Sequence, residues 1–249
     1  MIKLDFCRRP KGGGNFFYTF PYKNSFTSVV KYNSVIVIVV CLLLFENCKH
    51  HTSNAINSGK MPLVELNSKS DIFQEGDILF HTSTSSQSRA IQSATHSVYS
   101  HCGLLFHRNA NDKNWYVLEA VQPVKWTPLD KWIARGKAKH AVIKRAAITI
   151  NQQDAIKNEA MKFLGKNYDY TFEWSDNKIY CSELVWKAYF NATGIKLGSL
   201  QPLSSLDLKN KQVSKKLKER YGNKIPYTEK VISPNAIFTS DKLTTVYSQ

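Results

Sequence analysis

From residue 73 onward, apolar positions come in short blocks whose spacing switches between two periods. EGDILFHTS opens with a Gly-Asp turn and continues as an apolar run. VYSHCGLLF, WYVLEAV and HAVIKRA are rich in β-branched and aromatic residues, so all four blocks read as strands. RNANDKN, between the second and third, is a turn by composition, which makes those two an antiparallel hairpin. Helical spacing marks other stretches. SSQSRAIQSATHS has a Ser-rich entry and places Ala90, Ile91 and Ala94 together; NQQDAIKNEAMKFLGKN does the same with Ala155, Ile156, Ala160, Phe163 and Leu164, and stops at Gly165. VKWTPLDKWIARG reads as a proline-started turn and a short helix, YDYTFEW as an aromatic strand or loop. In DNKIYCSELVWKAYF a polar approach becomes a helix from about Ser182. KNKQVSKKLKERYGNK is a basic helix, and VISPNAIFTS an extended closing segment. There is no repeat, so one α+β domain over residues 73–249 is the economical reading.

Ahead of it the pattern differs. Residues 35–45, VIVIVVCLLLF, are an apolar run too short for a membrane-spanning helix, which needs roughly 20 residues, and suited to a signal peptide. Lys23 and Lys31 precede it. Cys48 follows in FENCKHHTSN, resembling the lipid-bearing first residue of a bacterial lipoprotein. Glu46 and Asn47 stand where small residues are usual, and the long lead before the run fits a later translation start. An uncleaved anchor or an ordinary secretory signal are the alternatives. The expected organisation is an export segment at 1–48, a polar tether at 49–72, and the domain. This points to a bacterial cell envelope, with the protein periplasmic or attached to the membrane through Cys48.

Composition changes the picture in one respect. At 43% hydrophobic residues a packed core is available, but the net charge is +15, and +11 beyond residue 48 (28 basic residues against 17 acidic). Such a surface favours anionic surroundings. The basic residues are dispersed and form no nucleic-acid motif, so no nucleic-acid partner is expected. The cysteines at 7, 41, 48, 102 and 181 show no metal-ligand spacing and no disulfide framework.

The chemistry then rests on Cys181. At a helix cap, unpaired backbone N–H groups and the helix dipole favour a thiolate, and the same N–H groups, that of Ser182 included, could stabilise an oxyanion. Alternatively, Cys181 fills core space. A nucleophile needs a base. His101 begins one hairpin strand, and Glu119 lies on the other at comparable height from a turn near Asp112; cross-strand neighbours sit about 5 Å apart, so the carboxylate could orient the imidazole.

The blocks GDILF, SRAIQSATHSVYSHCGLLF, VLEAVQPVKWTPLDKWI, FLGKNYDYTFEWSDNKIYCSELVWKAY and IPYTEKVISPNAIF, in collinear order, closely resemble the YiiX/YaeF group of permuted papain-like amidases. These are relatives of the NlpC-type cell-wall peptidases and of lecithin:retinol acyltransferase. The resemblance implies a circularly permuted papain-like (NlpC-type) α+β fold, an antiparallel sheet packed with helices. By motif it makes Cys181 the nucleophile, His101 the base and then acid, and Glu119 the group that orients His101. Tyr168 matches a tyrosine that aids the oxyanion, with Tyr170 and Tyr180 as competing phenols. It implies no metal or organic cofactor. The substrate would be a peptide, an amino-acid amide or an acyl-lipid, cleaved through a thioester. An acyltransferase or lipid hydrolase, and a non-catalytic binding module on the same fold, are the rival readings.

Cys102 departs from the pattern, since a small non-thiol residue usually follows the histidine; alternation points it away from His101, as a core residue. His96 could line the cleft or be an ordinary loop histidine. His81, His107 and His140 read as surface or strand-face residues, Asp77 as a turn residue, and Trp126, Trp132, Trp174 and Trp186 as core or cleft wall.

Overall fold

The computed structural model describes residues 70–249. The apolar run, Cys48 and most of the tether lie outside the described residues; the tether's last three, Ser70–Ile72, form a 3-10 turn. Among the described residues no helix is long and apolar enough to cross a membrane.

The strands are β1 (Ile78–His81), β2 (His101–His107), β3 (Trp115–Glu119), β4 (Lys125–Pro128) and β5 (Val142–Ala146), with two-residue pairs β6 (Asn167–Tyr168) with β7 (Lys178–Ile179), and β8 (Gln201–Pro202) with β9 (Lys230–Val231); β10 (Leu243–Ser248) closes the chain. The helices are α1 (Ser86–Thr95), α2 (Leu129–Ala134), α3 (Ile150–Met161), α4 (Cys181–Thr193), α5 (Lys211–Tyr221) and α6 (Pro234–Phe238). Six strands form one antiparallel sheet in the order β10-β5-β1-β2-β3-β4.

Strand alternation divides the core into two layers. Ile78, Phe80, Cys102, Leu104, Phe106 and Leu118 face α3 and α4, whereas Leu79, Leu105, Val117 and Ile143 face α2 through Trp132 and Ile133. Because both faces are covered, the central strands are apolar at nearly every position; β1 is buried throughout. That explains why ILFH and HCGLLF show little polar alternation. A third cluster, Ala94, Leu203, Val213, Leu217 and Val231, joins α1 to α5.

Two expectations need correcting, and one strand went unread. β4 forms where only a turn was read; it is an edge strand that ends on its proline, and an edge strand is where a sheet tolerates one. The segment VISPNAIFTS is not extended: Ser233 caps α6 by accepting from the Ala236 N–H, and Pro234 occupies the first turn, a helix-start signature. The polar LTTVYS ending pairs with β5 as an edge strand.

Candidate active site

Helix α4 carries Cys181 in its first turn, and the cap residue is Tyr180, one position earlier than the sequence implied. The helix stops at Gly194, whose φ of +76° favours glycine. The first backbone bond of the helix is donated by Leu184 to Tyr180, so the N–H groups of Cys181, Ser182 and Glu183 have no acceptor within the helix. The hydroxyl of Ser182 is committed elsewhere, donating to the Ile232 carbonyl at 2.8 Å. Only its main-chain N–H is available to a ligand.

The hairpin brings His101 to Glu119, by a route different from the one expected. The register pairs Leu104 with Leu118, which sets Glu119 across from Gly103 and diagonal to His101. Gly103 makes the diagonal possible. A Cβ there would lie 2.5 Å from Val117 Cγ1 and 3.3 Å from Glu119 Cβ, so a side chain would fill the space between base and carboxylate. His101 Nε2 and Glu119 Oε2 are 2.6 Å apart. The other ring nitrogen, Nδ1, is left for Cys181, and His101 interacts with that thiol both through its charge and by hydrogen bonding.

Glu119 is fully buried and saturated. Thr127 Oγ1 donates to Oε1 at 2.6 Å, Trp132 Nε1 donates to Oε2 at 3.0 Å, and Arg135 Nη2 reaches both oxygens at 2.6 Å. Three of these partners were missed in the sequence. Trp132 and Arg135 stand three residues apart in KWIAR, and that helical spacing was the available signal. Burial alone would raise the Glu119 pKa, but His101, Arg135 and Thr127 outweigh it and bring it down to about 2. His101 shows the same contest: burial disfavours its cation, while Cys181 and Glu119 raise it to about 9. Cys181 is held well below an ordinary thiol, first by the hydrogen bond from Cys102, against burial, and then by His101. The resting pair is therefore thiolate and imidazolium.

His81 is not a surface residue. It is buried, stacks on Trp132 at 3.9 Å between ring centroids, and lies 5.2 Å from the His101 ring. Burial and the neighbouring His101 charge push its pKa down to about 2, so it stays neutral beside the imidazolium. His96 is mostly exposed and faces Asp207 at 3.4 Å; His107 pairs with Glu75 at 2.7 Å. Asp77 holds Arg145 through both carboxylate oxygens, each at 2.7 Å. Neither His96 nor His107 joins the site.

Of the three phenols, Tyr168 borders the spaces on both sides of the nucleophile, and its hydroxyl accepts from Gln87 Nε2 at 3.0 Å. Burial, with the Cys181 charge, holds it protonated, able to donate. The Tyr180 hydroxyl accepts from the Ile232 N–H at 3.1 Å, and Tyr170 is half exposed. The two spaces differ in chemistry. On one side Cys181, Ser182 and Tyr168 border an almost wholly apolar cavity of about 80 Å³, walled by Ile91, Ala94, Phe172, Leu206, Leu217 and Val231. On the other side, His101 opens onto a polar cleft of about 490 Å³ with Ser83, Ser100, Gln122 and Arg135 in its walls.

Residues 72–247 match the family model described as permuted papain-like amidase enzyme, YaeF/YiiX, C92 family. Protein YiiX of Escherichia coli K12 is 51% identical over 175 residues, covering 70% of this chain and 85% of that one. The crystal structure of metalloprotein YiiX from Escherichia coli O157:H7 superposes with a TM-score of 0.68 at 51% identity, over 71% of this chain and 97% of that one. Among the described residues here, no three His, Cys, Asp or Glu side chains are grouped to hold a metal ion. Both Glu119 oxygens and His101 Nε2 are already occupied by hydrogen bonds, so this donor set does not fit one.

Proposed function

The chain belongs to the permuted papain-like amidase family of the YaeF/YiiX type, cysteine hydrolases of the amidase and peptidase kind, and from that premise we propose that it cleaves amides between an aliphatic acyl group and a polar amine. The apolar cavity bordering Cys181 carries this reading. Room for several methylene groups beside the nucleophile, with polar walls on the far side of His101, sorts a substrate into an acyl end and an amine end.

In this reading the Cys181 thiolate attacks the amide carbonyl. The oxyanion is received by the free N–H groups at the start of α4 and by the Tyr168 hydroxyl, donors of a kind worth about 3–4 kcal/mol each. His101, charged at rest, gives its proton to the departing amine. Neutral again, it takes a proton from the water that opens the thioester. Glu119 keeps the imidazole turned with Nδ1 toward sulfur and stabilises its cation. Transfer of the acyl group to a second nucleophile would pass through the same thioester. We also place this activity outside the cytoplasmic membrane, on the strength of the apolar run at 35–45 and of Cys48 after it. Cys48→Ser should abolish labelling by a lipid precursor in cells if that cysteine is the anchor.

The acyl assignment is tested by an N-acyl amide series of growing chain length. At about 0.8 kcal/mol per buried methylene, kcat/KM should rise roughly fourfold per carbon until the cavity is filled. Equal rates for acetyl and longer chains would refute it.

A further inference from the structure

Cys102 has no role in the steps just described, yet it is a second thiol within the site. Alternation along β2 turns it to the sheet face covered by α4, where it is fully buried in the same core cluster as Cys181. Both are free thiols buried in one core cluster, and each sulfur bears on the ionisation of the other. A small apolar residue would fill this space as well. What a thiol adds is a second sulfur beside the nucleophile in that cluster. Burial and the neighbouring negative sulfur hold Cys102 protonated, so it donates to the Cys181 thiolate.

A thiolate that attacks carbonyl carbon also attacks peroxide oxygen. Cys181 borders the cavity described above, which gives a small oxidant a path to it. We propose that Cys102 is a resolving thiol: oxidation of Cys181 by a hydroperoxide is captured as a Cys102–Cys181 disulfide, a reversible modification that switches the nucleophile off and shields it from further oxidation. In the first step the Cys181 sulfur forms a bond to a peroxide oxygen, the O–O bond breaks, and hydroxide leaves. In the second, Cys102 sulfur attacks Cys181 sulfur, the S–O bond breaks, and the Cys102 proton leaves with that oxygen as water. Two thiols lose two electrons, and the peroxide becomes two molecules of water or hydroxide. The movement required is closure of two neighbouring sulfurs of one buried cluster to an S–S bond of about 2.05 Å. A dithiol reductant reverses it by exchange.

The inference needs Cys181 to be a thiolate and does not need the acyl donor to be aliphatic. The test uses the full chain carrying Cys7→Ser, Cys41→Ser and Cys48→Ser, so that only residues 102 and 181 bear thiols. After hydrogen peroxide, non-reducing peptide mapping should show the two peptides joined. Alkylation of Cys181 by iodoacetamide should fall about tenfold and return with dithiothreitol. With Cys102→Ala added, the same exposure should drive Cys181 to sulfinic and sulfonic acids that dithiothreitol does not restore. Unlinked peptides with sulfinic acid on Cys181 in the Cys102-containing protein would overturn the proposal, and that map decides even if Cys102→Ala fails to fold. Amide turnover measured before peroxide reads the proposed function separately.

Discussion

Glu119 accepts hydrogen bonds from four side chains at once, and that crowding fixes the charge of everything beside it. With Glu119 anionic, His101 is protonated up to about pH 9 and Cys181 ionises well below an ordinary thiol. Activity should follow a bell in pH. Its acid limb reports protonation of Cys181, and its alkaline limb, near 9, reports loss of the His101 proton. Glu119→Gln removes the anion and keeps the shape. It should cost about 10³–10⁴ in kcat and move the alkaline limb to lower pH; an unmoved limb would mean that another group titrates there. Stability carries the same signs. The His101 contribution is complete below 6.5 and is lost as pH rises through about 9, and the Glu119 contribution is complete above 4.5 and is lost as pH falls through about 2. Much of this trio was legible, because a histidine beginning one hairpin strand and a carboxylate ending the other need only a plausible register to meet. Thr127, Trp132 and Arg135 were not, since the edge strand that carries Thr127 was read as a turn, and the short helix, though expected, was given Trp132 only as core or cleft wall and no role for Arg135.

Between elements, the decisive fit is Gly103. It sits in the middle of a strand where glycine packs poorly, and its place is explained only by the register that sets Glu119 opposite. Gly103→Ala should therefore do two things. The Cβ, 2.5 Å from Val117 Cγ1, forces a shift costing about 1–3 kcal/mol in urea unfolding. The residual folded enzyme should also lose activity, because Glu119 is displaced from His101; full activity per folded molecule would show that the diagonal tolerates the methyl. No sequence argument without the register could have singled out this glycine. Helix α4 was the opposite case: its polar approach and apolar run placed its start, with the cap misplaced by one residue, and Glu183 in its first turn and Gly194 at its end were further signals left unused. Ser233 and Pro234 carried equally good start signals for α6. They were overlooked because a proline read as an extended segment competes with a proline read as a first helical turn, and five residues show no periodicity to decide between them.

At the scale of the molecule, the sheet puts the imidazole–carboxylate pair at one end of the hairpin while α4 brings the thiol to it, with an apolar cavity on one side and a polar cleft on the other. The cavity is an assembly of α1, α5 and the segments around β8 and β9, distant in sequence. It left no trace in local periodicity, beyond a basic helix whose buried positions, Val213 and Leu217, are four apart. Ala94→Phe should fill the cavity and cut turnover of long-chain amides about tenfold relative to acetyl amides, while alkylation of Cys181 stays as in the wild type. A uniform loss across the series would mean that the cavity does not hold the acyl group. The most direct measurement is the pH dependence of Cys181 alkylation by iodoacetamide, followed by peptide mass spectrometry in the wild type and in His101→Ala. A thiolate paired with an imidazolium gives an inflection far below that of a free thiol in the wild type, moving up when the histidine is removed. An inflection near 9 in both proteins would contradict it.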